Sequence, residues 1–247
     1  MRSVTIVERS ELAWQANKEE NMRCKLSKLS CAVALLVPAA TAWAKPPVLS
    51  PIDFSACANN TQATGAPVGP SLGNAETKFS KLGFTLLDPS LGSDSWLGAP
   101  SASLHIKLSV SAPAAVYMLL NTGWGQNAIP NASVEFEGTG GVHKVFKLVG
   151  NTTIRDYNNW MWTNTINNKT TQEWWTNNLN PQPDDNSHRE DAHEFNTAQL
   201  LAGHTLTDII VKAPANAGPN VMEPLLFAIA VDANQGAGTL PSTCSTN

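Results

Sequence analysis

The sequence predicts an all-β protein: an antiparallel β-sandwich, jelly-roll-like, that carries a long insertion rich in Trp and Asn. Three observations lead there. Strand-like runs recur with Gly, Pro and Asn between them, no stretch keeps a 3.6-residue apolar period, and no internal repeat is visible.

The first clean strand is 102–110, where Ala102, Leu104, Ile106, Leu108 and Val110 alternate with Ser103, His105, Lys107 and Ser109. A period of two buries one face and wets the other. A continuous apolar run follows at 116–120. Residues 133–137 alternate again, and the glycines of 138–141 then mark a hairpin turn into a strand over 145–149. Later runs lie at 206–211 and 225–231. The second has seven apolar residues in a row, which suits a strand covered on both sides. Pro113, Pro130, Pro214 and Pro224 fall between or at the edges of these strands, where a missing amide donor does least harm.

The amino-terminal end reads as an export signal. A short basic stretch from Met22, an apolar core over 31–40 and Ala42-Trp-Ala44 form a secretory signal pattern with cleavage expected after Ala44. Met22 is the expected start, and the alternative is a genuine extension over residues 1–21. Its apolar core is too short to cross a bilayer, and no later run is long enough either. The expected location is therefore secreted or periplasmic. Residues 45–78, rich in Pro, Gly and Ala, read as an extended leader, and 79–247 as a single sandwich domain with a carboxy-terminal tail.

Removing residues 1–44 leaves 10 Lys plus Arg against 16 Asp plus Glu, a formal charge of −6. Such a surface repels phosphate, so nucleic acid is not an expected partner. The mature chain keeps two cysteines, Cys57 and Cys244, near opposite ends of the domain. In an oxidising compartment they read as one disulfide, and chain entropy gives so long a loop up to ~5 kcal/mol of stabilisation.

Residues 157–196 break the strand rhythm. They hold ten asparagines in 40 residues, together with Trp160, Trp162, Trp174 and Trp175. Disordered chain is poor in aromatics, so this reads as an ordered excursion. An indole face beside amides and carboxylates suits a sugar: stacking on C–H faces, hydrogen bonds to hydroxyls. The other reading is that these rings cover the end of the sandwich. Arg155 and Asp156 either pair with each other or grip vicinal hydroxyls, and Trp124, between two glycines, is either a loop-tip contact or a ring tucked under a turn.

The segments Ala115-Val-Tyr-Met-Leu-Leu-Asn-Thr-Gly-Trp-Gly-Gln126, Ala132-Ser-Val-Glu-Phe-Glu-Gly138, Leu148-Val-Gly150 and Thr153-Ile-Arg-Asp-Tyr-Asn158 carry a resemblance. In pattern, over about 114–231, the chain resembles the secreted bacterial jelly-roll domains similar to galactose-binding-like and novel carbohydrate-binding modules. The resemblance implies a β-sandwich with a glycan-facing end. The insertion of 178–187 departs from that pattern.

Catalytic and metal signals are weak. Asp184, Asp185, His188, Glu190, Asp191, His193 and Glu194 cluster within 11 residues, yet their spacing matches neither a calcium loop nor a zinc helix, and a solvated polar loop is expected. Glu135 and Glu137 share a strand face, as glycosidase carboxylates do, but that face is the wet one. Gly92-Ser-Asp-Ser-Trp-Leu-Gly98 lacks nucleophile-elbow spacing. Lys45, not histidine, begins the expected mature chain, so no amino-terminal copper brace is indicated. No catalytic residue, metal or cofactor is assigned. The expected function is a secreted, non-catalytic carbohydrate-binding protein with Trp124, Arg155, Asp156, Trp160, Trp162, Trp174 and Trp175 as its contacts. The alternatives are a secreted glycoside hydrolase and a structural or adhesive surface protein with no small ligand.

Overall fold

A computed structural model describes residues 47–62, 66–123, 130–158, 166, 168–177, 188–215, 223–233 and 238–247, with the side chains of 130 and 131 excepted. All fall within one compact unit, Pro46–Asn247. Among them there are strands and short 3-10 turns but no α-helix.

The strands are β1 (Leu49–Pro51), β2 (Gly69–Leu72), β3 (Gly83–Leu86), β4 (Trp96–Leu97), β5 (Ser103–Ser111), β6 (Ala115–Thr122), β7 (Pro130–Gly138), β8 (Val142–Val149), β9 (Thr171–Thr176), β10 (Arg189–Asn196), β11 (Thr205–Lys212), β12 (Pro224–Asp232) and β13 (Ser242–Thr246). One antiparallel sheet has the order β1-β12-β6-β10-β9, with β4 also on β12. The second has the order β13-β5-β11-β7-β8, and β2 pairs with β3 in a separate ribbon.

The two larger sheets face each other across one core. Leu104, Ile106, Val134, Phe136, Ile209 and Val211 from the second sheet meet Val116, Met118, Leu120, Ile229 and Val231 from the first. On the other side of the first sheet, Tyr117, Leu119, Phe227 and Ala230 pack against Phe79, Leu82, Phe84 and Leu86 of the β2–β3 region. The first sheet is therefore covered on both faces. This is why β6 is buried along its whole length, and β12 at every residue but Asp232. The second sheet has one wet face, and β5 alternates accordingly. Gly140 and Gly141, at φ 74 and 78, make the left-handed turn between β7 and β8.

The stretch expected to be an extended leader contributes β1 to the first sheet and β2 to the ribbon that covers it. β1 pairs with the end of β12, Leu49 opposite Asp232, and β2 pairs with β3. Both strands are too short to show a period in sequence, and Gly69 and Pro70 mask the second. The Cys57–Cys244 disulfide is formed, tying the turn after β1 to β13. Beside it the Leu240 N–H donates to the Pro51 carbonyl at 3.0 Å. One side of the sandwich is thereby stitched shut.

Candidate functional site

The tract 157–196 contains two strands that alternation could not reveal. Asp191 lies opposite Glu173, and His193 opposite both Thr171 and Met118. Positions that would normally be aliphatic carry charge, so the apolar period of two is erased. A register shift between Glu190 and Asp191 breaks the pattern further.

Segment 154–158 runs between the ends of β6 and β10. Thr122 N–H donates to the Arg155 carbonyl at 3.0 Å, Tyr157 N–H to the Thr122 carbonyl at 3.0 Å, and Arg189 N–H to the Tyr157 carbonyl at 2.8 Å. Ile154, fully buried in the main core, fixes its start. The chain leaves at Asn158, which bridges to His188.

This threading brings Arg155 against Asp191. Nη2 reaches Oδ1 at 2.6 Å and Nε reaches Oδ2 at 2.8 Å, a two-pronged pair with both side chains buried. Asn121 locks it from β6: its Nδ2 donates to Asp191 Oδ2 at 2.7 Å, and its Oδ1 accepts from the Asp191 N–H at 2.9 Å. Glu173 lies 3.6 Å from Arg155 Nη2. Arg189, also buried, donates from Nε to the Asp156 carbonyl at 3.0 Å, and the Asp156 carboxylate accepts from the Asn158 N–H at 2.8 Å.

The charges respond to this packing. Burial works to raise the Asp191 carboxyl, but the charge and hydrogen bonds of Arg155 outweigh it and hold Asp191 below the usual carboxylate range. Burial and the Asp191 charge push Glu173 upward, against the pull of Arg155 and Arg189. Burial pulls Arg189 down to about 10. His193, two residues along β10, is brought down to about 4, chiefly by burial; its Nε2 donates to the Leu120 carbonyl at 2.6 Å. It is neutral at pH 7.

Several expected ligand contacts are placed elsewhere by this arrangement. Arg155 pairs with Asp191 of β10, because the chain carries its guanidinium inward between the strands. Trp174 is fully buried, donating from its indole N–H to the Leu82 carbonyl at 2.9 Å and meeting Phe84 edge-on at 5.7 Å. Trp175 is 7% exposed and belongs to the same outer core. Their rings cover the first sheet and present no face for stacking. Glu190, Asp191 and His193 are buried in β10, so this half of the acidic cluster is strand and not a solvated loop. Trp124, Trp160, Trp162, Asp184 and Asp185 lie outside the described residues. Among the described residues no group of three or more His, Cys, Asp or Glu side chains is arranged to hold a metal ion.

The described flanks of four chain segments meet at this one end of the first sheet. Thr122 pairs with Pro224, and Gly123 N–H donates to the Glu223 carbonyl at 2.8 Å. Thr176 pairs with Arg189, and Asn177 N–H donates to the His188 carbonyl at 3.1 Å. Segments 124–129, 159–165, 178–187 and 216–222 are attached at these points. The buried network of Arg155, Asp191, Asn121 and Arg189 lies among these anchors. No family model matches the chain, and no curated protein or solved structure matches it either.

The other charged cluster is on the wet face of the second sheet. Glu135 is 2.9 Å from Lys212 Nζ and 3.2 Å from both His143 Nε2 and Ser133 Oγ. Burial would raise its carboxyl, but these partners hold it below its ordinary value. Three donors on one carboxylate describe a surface clasp across three strands.

Proposed function

We propose that this is an exported, non-catalytic binding protein whose ligand is a glycan, bound at the end of the first sheet where the four segments are anchored. The observation that carries the reading is the convergence of those anchors. Trp124 follows Gly123 directly, and Trp160 and Trp162 follow Asn158 closely, so three tryptophans belong to segments fastened at one end of one sheet. Aromatic faces grouped beside Asn and Asp side chains are the chemistry that sugars require. The buried network supports the reading by fixing the strand ends from which these segments leave, since a loop site is as exact as the scaffold holding it. The Cys57–Cys244 bridge is what an oxidising compartment outside the cytoplasm would permit.

Single alanine variants of Trp124, Trp160 and Trp162 test this. A glycan array selects the ligand, and titration with that glycan is then set beside thermal unfolding. At least one variant should lose most of its affinity while unfolding near the parent temperature, whereas Trp174→Ala should unfold early, since removing a core indole costs about 3–5 kcal/mol. An array on which nothing binds, or three variants with unaltered affinity, would reject the proposal.

A further inference from the structure

Two edge strands of the larger sheets, β9 and β8, are treated differently. The outer edge of β9 is covered by residues 73–79: Ala75 N–H donates to the Trp174 carbonyl at 3.2 Å, the Asn74 side chain bonds both ways with Thr176, and Thr77 Oγ1 donates to the Glu173 carbonyl at 2.6 Å. No strand among the described residues pairs with the outer edge of β8, the last strand of its sheet. Among the described residues this edge is engaged only at its end, where the Val149 N–H donates to Thr153 Oγ1 at 2.8 Å. From Val142 to Leu148 it is extended, lacks proline and keeps an unbroken register with β7. Over this stretch β8 has no bulge or proline and, among the described residues, no covering loop; the exposed Lys144 and Lys147 guard it by charge, which bars a basic strand and not an acidic one.

Beside this edge the seam between the sheets stands open as a cleft of about 210 Å³, lined by Phe146, Leu148, Thr171, His193 and Phe195 among others. A cavity of roughly 150 Å³ holds a benzene ring. The rings of Phe136, Phe146 and Phe195 meet edge-on at 5.3–5.6 Å at the seam, so an entering aromatic side chain would extend an existing cluster. The edge itself is basic in an acidic chain: Lys144 and Lys147 are exposed, against an overall charge of −4. Like charges opposed across an antiparallel pair are unfavourable, so β8 is poorly suited to pair with a second copy of itself.

We propose that β8 is a strand-addition site for an extended, acidic segment of another protein. The segment adds a sixth strand to the second sheet, sets one aromatic side chain into the cleft beside Phe146 and Phe195, and on its other face places acidic side chains against Lys147. Backbone hydrogen bonds then supply affinity and the alternate side chains supply selectivity. This surface is carried by different residues from the glycan site, and the two stand or fall separately.

The probe is an end-capped, fluorescently labelled heptapeptide alternating aspartate and valine with one central phenylalanine, titrated against the disulfide-bonded mature protein by anisotropy. Saturable binding is expected. It should be lost when alternate backbone nitrogens of the peptide are N-methylated, and weakened about threefold by the Lys147→Glu variant, which turns a favourable cross-strand pair into a repulsive one. Phe→Ala in the peptide should weaken it further while that protein variant unfolds as the parent does. Absence of binding at millimolar peptide would overturn the proposal. So would binding indifferent to N-methylation, or a β8-dependent dimer of the protein that the peptide does not dissociate.

Discussion

Arg155 and Asp191 close a two-pronged ion pair between a segment outside the sheet ladder and the interior of β10, with neither side chain reaching water. The pair joins the chain that leaves at Asn158 to the chain that enters at His188. Removing one partner takes the two-pronged pairing from the other buried charge and leaves it only looser counter-charges, Glu173 at 3.6 Å for Arg155 and Arg189 for Asp191. Asp191→Asn is therefore expected to cost about 3–5 kcal/mol in denaturant unfolding. The Arg155→Met, Asp191→Leu double variant should recover more than half of that loss, because it removes both charges and keeps volume. Equal destabilisation of the single and double variants would mean that the pair does not hold this end of the fold.

His193 gives stability a pH dependence whose sign follows from its burial. In the folded chain it titrates near 4, and in the unfolded chain near 6.5. Between those values the unfolded state binds more protons, so stability is fully present above about pH 6.5 and declines toward pH 4, by on the order of 3 kcal/mol. Asp191 adds to the loss at still lower pH, because its depressed carboxyl must be protonated as the acid unfolds the chain. Glu173, raised by burial, works in the opposite direction. The measurement is urea unfolding at pH 7.5, 6.0 and 4.5 for the parent and for His193→Gln. A flatter profile is expected in the variant, and parallel profiles would remove His193 as the cause.

These same residues explain what could be read from the sequence. β5, β7, β11 and β12 were legible because their apolar residues either alternate or run continuously. β9 and β10 were not, because Glu173, Asp191 and His193 occupy inward positions where only tertiary partners make charge tolerable. Trp174 and Trp175 had the composition of a binding surface, and nothing local distinguishes an indole that stacks on a sugar from one that donates to the Leu82 carbonyl 92 residues away. The disulfide was legible from cysteine count alone. The charged network was visible only as an acidic, histidine-containing run.

Asp208 on β11 is a strained polar group of another kind. It lies directly opposite Glu137 of β7 and Lys107 of β5, is 9% exposed, and its Oδ1 is buried with no hydrogen-bond partner. Burial raises its carboxyl first, and Glu137 adds to this, while His105 and Lys107 pull the other way. A folded value above the unfolded one means that stability falls as pH rises through the folded value. Asp208→Asn should then stabilise the protein at pH 7 by about 0.5–1 kcal/mol, and by less at pH 4, in thermal unfolding at both pH values. A variant less stable than the parent at pH 7 would show that the charge is compensated.

Gly73 tests how the covered edge of β9 is held. Its N–H donates to the Ser80 carbonyl at 2.9 Å, and a β-carbon added there would collide with the backbone carbonyl of Trp174. That neighbour is backbone and cannot rotate aside, so Gly73→Ala must move either residues 73–79 or β9. Moving 73–79 would weaken the Ala75 and Asn74 bonds to β9 and uncover Trp174, whose ring packs on Phe84 beneath that same segment. The expected cost is about 1–3 kcal/mol, the range for forcing extra volume into a packed site. Hydrogen exchange should show faster exchange at Ala75 and Thr176, while the amides of β5 and β11, in the opposite sheet, keep the parent's protection apart from the shift in global stability. Uniform acceleration across both sheets would mean that 73–79 is part of the single cooperative core. An unchanged protein would mean that β9 yields at little cost and that the glycine is not required.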